Sequence, residues 1–186
     1  MGFAHGVAAT VGKVLRSVHA GERKLAAYKL DVVATVPSIE VASPDFEAGG
    51  ELPREVTVDG AGVPPTIAWR GVPPWARSLA VFCEDPDSPS PEPFVHWVVY
   101  GLPPTVTVID GKPNGYGHEG KNSKLESEYT PPAAWPGHGM HHYHFQVFAL
   151  DIELDLDPGA GRHALLTAMR GHVVAWGELV GTYERR

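Results

Sequence analysis

Residues 79–100 constrain the fold more than any other stretch. They read Leu-Ala-Val-Phe-Cys-Glu-Asp-Pro-Asp-Ser-Pro-Ser-Pro-Glu-Pro-Phe-Val-His-Trp-Val-Val-Tyr. Two apolar runs, 79–84 and 94–100, flank a segment in which Pro86, Pro89, Pro91 and Pro93 remove backbone donors and preset φ. Neither strand can continue through such a segment, so it must be the turn of a hairpin. The turn carries Asp85 and Asp87, and the hairpin returns His96 to the neighbourhood of Glu84 and Asp85. A carboxylate accepting from one imidazole nitrogen fixes which nitrogen faces outward and favours the protonated, anion-binding ring. Asp and Pro also build ordinary solvated turns, so the hairpin alone assigns no chemistry.

The punctuation continues on both sides. Glycine (21) and proline (18) make up about a fifth of the chain with no collagen-like period, which implies many short strands and turns. Thr66–Arg70 and residues 105–110 are candidate strands. Residues 111–139 form a long polar loop, and loops of that length are usually functional or disordered. Residues 141–150, His-His-Tyr-His-Phe-Gln-Val-Phe-Ala-Leu, are the clearest strand. His141, Tyr143, Phe145 and Val147 share one face, with His142, His144 and Gln146 on the other. Residues 163–176 read as a helix whose apolar side is Leu165, Leu166, Met169, Val173 and Trp176, with Gly177 placed to end it. The expected class is mainly β, an antiparallel sandwich or barrel with a helix at each end of the chain.

The first of those helices spans residues 7–18, where Val7, Val11, Val14, Leu15 and Val18 recur on one face with Lys13 and Arg16 off it. Residues 1–30 hold five basic side chains against Glu22, a net of +4, while the whole chain is −7. The expected organisation is an N-terminal amphipathic extension over 1–40 and one domain over 41–186. The extension packs on its own domain or pairs with a second copy as a homodimer; a basic amphipathic helix also suits an anionic membrane surface. The acidic balance argues against nucleic acid as a partner. Cys83 is the single cysteine, so no intrachain disulfide forms, and in an apolar strand it reads as inert core. No apolar run is long enough for a transmembrane segment and no signal-peptide core is present, which makes cytoplasmic the expected location.

The run His138-Gly-Met-His141-His142-Tyr-His144 admits a metal reading, with His142 and His144 on one strand face and Asp85 or His96 completing the set. That alternative is a metal-dependent β-fold hydrolase or oxygenase. Gly115-Tyr-Gly117-His-Glu-Gly120 matches a dinucleotide fingerprint only in letters, since no βαβ unit surrounds it. There is no G-x-S-x-G.

Three pieces stand in a recognisable order: Asp85-Pro86-Asp87-Ser88-Pro89, then His96-Trp97-Val98-Val99, then Tyr129 followed by Gly137-His138-Gly139-Met140-His141-His142-Tyr143. From about Phe46 to Tyr183, with Pro64-Pro65-x-x-x-Trp69 and Gly181-Thr182-Tyr183, the chain resembles the phosphatidylethanolamine-binding protein (PEBP) family. It resembles most the bacterial, Raf-kinase-inhibitor-like branch. The resemblance implies a large antiparallel sheet packed on a smaller one with peripheral helices, and a non-enzymatic protein with no cofactor and no catalytic residue. It implies a small pocket for a phosphate-like anion, such as a phospholipid headgroup or a phosphorylated partner, and possible inhibition of a kinase or protease. Carried over by position, the ligand-binding residues are Asp85, Asp87, His96, Trp97, Ala133, His141 and Tyr143. Three departures stand out: Ser88 for alanine, Ala134-Trp135 where the family has a proline pair, and His142 for arginine.

Overall fold

The computed structural model describes residues 2–111, 113 and 115–185, and within the first helix it describes side chains from Ala8 onward; Val7 of the expected apolar face lies outside the described side chains. The elements are α1 (Gly2–Leu15), α2 (Ala26–Lys29), β1 (Glu40–Ala42), β2 (Ile67–Arg70), β3 (Ser78–Asp85), β4 (Phe94–Leu102), β5 (Val108–Ile109), β6 (His118–Glu119), β7 (His141–Leu150), α3 (Arg162–Met169) and β8 (Val173–Tyr183). They form an antiparallel five-stranded sheet, β6-β4-β3-β7-β8, packed against a three-stranded sheet, β1-β2-β5.

The large sheet is apolar on both faces because both are covered. Leu79, Val81 and Cys83 of β3 join Tyr143, Phe145 and Val147 of β7 in the core between the sheets. Ala80 and Phe82, with Val98, Tyr100 and Phe148, face a second core closed by α3 and by Ala26, Ala27, Leu30 and Val32. A strand buried on both sides needs no alternation, and β3 shows none. The Cys83 thiol sits inside the first core, where burial above all, then the charges of Asp85 and Glu84, push its pKa well above the ordinary range. A thiol-reactive dye is therefore expected to leave the native protein unlabelled and to react fully once denaturant unfolds it. Labelling of the native state at the rate of a free thiol would contradict the burial.

Two expectations about the ends of the chain are corrected. The helix expected over 163–176 stops at Met169; Gly171 takes φ +80, and residues 173–183 form the edge strand β8, so the described chain ends on a strand rather than a C-terminal helix. Gly177 is a strand residue whose missing side chain matters, since a Cβ there would lie 1.9 Å from the Ile39 carbonyl oxygen. Of the expected buried face, Val11 and Val14 of α1 and Val18 beyond its end are exposed, and Gly12 is the buried contact instead. A Cβ at Gly12 would lie 2.2 Å from the Pro136 carbonyl oxygen, so the helix approaches its loop by its small-residue side. Among the described residues no helix is long and apolar enough to cross a membrane.

Residues 16–25 then run along the acidic turn. Ala20 N donates to Ser88 O (3.0 Å), Gly21 N to Pro86 O (2.9 Å) and Lys24 Nζ to Pro91 O (2.6 Å). Ala26 N donates to Glu84 Oε2 (2.7 Å) and Ala27 N to Gln146 Oε1 (3.0 Å), so two of the free N–H groups opening α2 find buried side-chain acceptors.

Candidate functional site

Three strand ends converge at one edge of the first core. Asp85 closes β3, the middle strand of the three; His141 opens β7 on one side of it and His96 lies near the start of β4 on the other. His96 owes its position to an irregularity. Cys83 pairs with Trp97 and Glu84 with Val95, which leaves His96 as the extra residue of a β-bulge. The bulge also flips the strand's parity: Trp97 packs between the sheets while Val95, two residues away, packs in the second core. A bulge re-aims a side chain in this way. His96 Nδ1 meets the Thr130 carbonyl oxygen at 2.7 Å, and its ring packs edge-on to Tyr143.

Asp85 organises the turn as well as the site. Its Oδ1 accepts from Asp87 N (2.8 Å) and Ser88 N (3.2 Å), and its Oδ2 lies 2.8 Å from His141 Nδ1. Asp87 points elsewhere: its Oδ2 accepts from His142 N at 2.8 Å and meets His142 Nδ1 at 2.7 Å. His138, framed by Gly137 and Gly139 at positive φ, places its Nδ1 2.8 Å from His141 Nε2. Its Nε2 lies 2.8 Å from the Leu15 carbonyl oxygen.

These groups bound a cavity of about 180 Å³ lined by Asp85, Phe94, His96, His141 and Tyr143, by Ser88 and Pro89 of the turn, by Lys124, and by the loop from Thr130 to Trp135. That is room for roughly six waters. Trp135 is half exposed at the rim and does not fill the cavity. The Tyr143 hydroxyl is buried with no hydrogen-bond partner. Burial, then the nearby Asp85 charge, hold that phenol well above its ordinary pKa, so it is a donor at every physiological pH. His96 is pushed below the ordinary imidazole range, mainly by burial, with Asp85 acting in the opposite direction. Since a carbonyl occupies its Nδ1, the neutral ring carries its proton there and turns Nε2 toward the cavity.

Of the seven residues expected to bind ligand, Asp85, His96, Ala133, His141 and Tyr143 line the cavity. Trp97 does not: it is sealed in the core against Tyr129, with its Nε1 donating to Glu119 Oε1 at 3.2 Å. Asp87 does not either; it braces the turn against β7. The metal set is not assembled. His142 and His144 face away from Asp85 and His96, His142 bonded to Asp87 and His144 to Glu178 (3.0 Å), and no cluster of metal-ligating side chains occurs among the described residues. Sequence reasoning missed Thr130 and the role of His138. Nothing local marks Thr130, which acts through a carbonyl 34 residues from its partner.

A larger groove of about 620 Å³ lies on the other side of β4 against α3, among Lys29, Lys121, Arg170 and Arg162. Its most buried cation, Arg162, is spent on Glu84 and the Lys24 carbonyl. Among the described residues, no buried side-chain nitrogen or oxygen without a partner belongs to its lining.

A sequence model of the phosphatidylethanolamine-binding protein family matches residues 42–184. A UPF0098 protein of Methanothermobacter thermautotrophicus is 38% identical over 151 residues, covering 75% of this chain and 95% of that one. A solved structure of a PEBP homolog from Chlamydia trachomatis superposes with TM-score 0.75 at 34% identity, over 80% of this chain and 99% of the other. Escherichia coli YbcL, a member of the PEBP family, superposes with TM-score 0.74 at 25% identity over the same shares.

Proposed function

Because the chain belongs to the phosphatidylethanolamine-binding protein family, we propose that its cavity is a binding site, not a catalytic one, for a small anion of the phosphate class. The observation that carries this reading is the Tyr143 hydroxyl, a buried donor with nothing to donate to, in the wall of a cavity shared with His96. An unsatisfied buried hydroxyl costs about 1–3 kcal/mol unless something fills the position. A phosphate oxygen fills it. The same oxygens can accept from His96 Nε2 once that ring is protonated and from the backbone N–H groups of Ala133, Ala134 or Trp135. The one carboxylate in the cavity wall, Asp85, is turned toward His141 and two backbone donors, so it does not confront the anion. The source of the phosphate, free or carried on a phospholipid headgroup, is decided by the ligand series below.

Titration calorimetry with inorganic phosphate, phosphoethanolamine and vesicles bearing phosphatidylethanolamine tests the reading. We expect binding that falls about tenfold in Tyr143→Phe, the size of one lost hydrogen bond to a charged group. Equal affinity of the wild type and that variant for all three ligands would reject it.

The pH dependence has a defined sign. His96 and His138 both titrate below the ordinary imidazole value in the folded protein. Between the folded values and about 6.5 the unfolded chain therefore binds more protons, and stability of the unliganded protein falls as pH drops through that window. Anion binding runs the other way, because the bound anion favours protonated His96. Affinity for sulfate, whose charge is constant over this range, is expected to rise as pH falls from 8 to 6, with net proton uptake. A flat profile would remove His96 from the set of anion donors.

A further inference from the structure

Both nitrogens of His141 are committed. The contacts run Asp85 Oδ2, His141, His138 and the Leu15 carbonyl oxygen, each step 2.8 Å. Contacts of that length between such groups are hydrogen bonds, and three hydrogen bonds need three protons. The Leu15 carbonyl is an acceptor only, so His138 donates from Nε2, and as a neutral ring it turns a lone pair on Nδ1 toward His141. His141 must therefore donate from Nε2. Asp85 already accepts two backbone N–H groups through Oδ1, and as a carboxylate it requires a donor at Oδ2 as well. Two neutral imidazoles supply two protons. The third belongs to the most basic group of the four, an imidazole. Of the two rings, His141 faces a carboxylate, 2.8 Å from Asp85 Oδ2, whereas the second partner of His138 is the neutral Leu15 carbonyl, so the charge belongs on His141; burial also holds His138 below the ordinary range.

We propose that the N-terminal segment is a working part of the anion site: through the Leu15 carbonyl and His138 it fixes His141 as the imidazolium. Leu15 and His138 are then positioning residues of a cavity that neither of them lines. This inference rests on the anion reading above and deepens it. The segment is well placed for the task. It is held to the acidic turn by the Ala20, Gly21 and Lys24 bonds and to the 135–138 loop through Gly12, so the carbonyl cannot drift from His138 without breaking contacts on both walls. None of it lies within the family-matched residues 42–184.

Other charged groups surround the relay and are unchanged by the test. Asp87 pairs with His142 and stands 3.5 Å from His19. Lys13 and Arg16 of the N-terminal segment approach Gly137 and Gly139. Across the cavity lie His96 and Lys124.

The experiment uses the full chain and two variants, His138→Leu and His138→Asn. The first removes both the acceptor for His141 and the donor to the Leu15 carbonyl; the second supplies an amide oxygen to accept from His141 and an amide N–H to donate to Leu15 O. ¹⁵N spectra at about pH 7 without ligand are expected to show both His141 nitrogens protonated in the wild type and in H138N, and one unprotonated nitrogen in H138L. Phosphate affinity should fall about tenfold in H138L and recover in H138N. An unprotonated His141 nitrogen in the wild type, or an unchanged signature in H138L, overturns the relay. If the wild type shows the imidazolium signature yet binds no phosphate, the anion reading falls and the relay stands.

Discussion

Replacing Glu84 with alanine is expected to cost about 3–5 kcal/mol, the range for breaking a buried, hydrogen-bonded charge pair. The carboxylate is fully buried on the face of β3 away from the anion cavity. Its Oε2 accepts from Ala26 N and Gln146 Nε2, both at 2.7 Å, and its Oε1 from Arg162 Nε at 2.5 Å. Removing it strands the opening N–H of α2 and the Gln146 amide, and leaves the largely buried Arg162 guanidinium with the Lys24 carbonyl and the half-exposed Glu92 alone. In a chain of this size that loss lowers the melting midpoint by ~10 °C or more, which calorimetry reads directly. Glu84→Gln should cost less, since it keeps the volume and one acceptor oxygen. A loss below about 1 kcal/mol for the alanine variant would mean that Ala26, Ala27 and Leu30 dock the segment by apolar contact alone. Glu84 also anchors the segment that carries the Leu15 carbonyl, so phosphate affinity should weaken in the same variant, although the carboxylate faces away from the cavity.

How much of this was legible depends on whether the deciding contact was local. The strand over 141–150 was visible to the residue, and so was the Pro-rich hairpin, because pattern and turn chemistry both act over neighbouring residues. The order of the three motifs then gave the fold and five of the residues in the cavity wall. The C-terminal helix was misread for a physical reason. Leu165, Leu166 and Met169 in α3 and Val173 and Trp176 in β8 all pack toward the second core, so the apolar spacing is the same whichever element carries them. What separates the elements is Gly171 and the glycines of β8, which stand where Ile39 and Leu52 press against the strand. Trp97 came with the motif that carries His96, and strand geometry turns the neighbouring residue into the core, away from the cavity. The apolar face of α1 was misjudged because the helix docks by Ala8, Ala9 and Gly12, residues that carry no hydrophobic signal of their own. The Thr130 and Leu15 carbonyls left no trace, since every residue has one.

The second large effect separates charge from shape inside the site. Asp85→Asn is expected to leave the fold within about 1 kcal/mol of the wild type while weakening phosphate binding by roughly one to two orders of magnitude. The asparagine oxygen can still accept from Asp87 N and Ser88 N, so the turn keeps its two backbone bonds. Its amide nitrogen takes the place of Oδ2 and donates to His141 Nδ1. The chain then reads amide N–H to His141, His141 to His138, His138 to the Leu15 carbonyl, and all three bonds are made with both imidazoles neutral. Geometry is retained and the positive charge is lost. Phosphate binding should drop, and the ¹⁵N spectrum should show His141 Nδ1 unprotonated at about pH 7. Asp87→Asn, which alters the brace to His142 and leaves the relay intact, should keep affinity within about twofold. Equal losses in the two variants would place the effect in the turn's conformation; a loss confined to Asp85→Asn, with the melting midpoint preserved, places it in the proton that the carboxylate, two histidines and a backbone carbonyl hold between them.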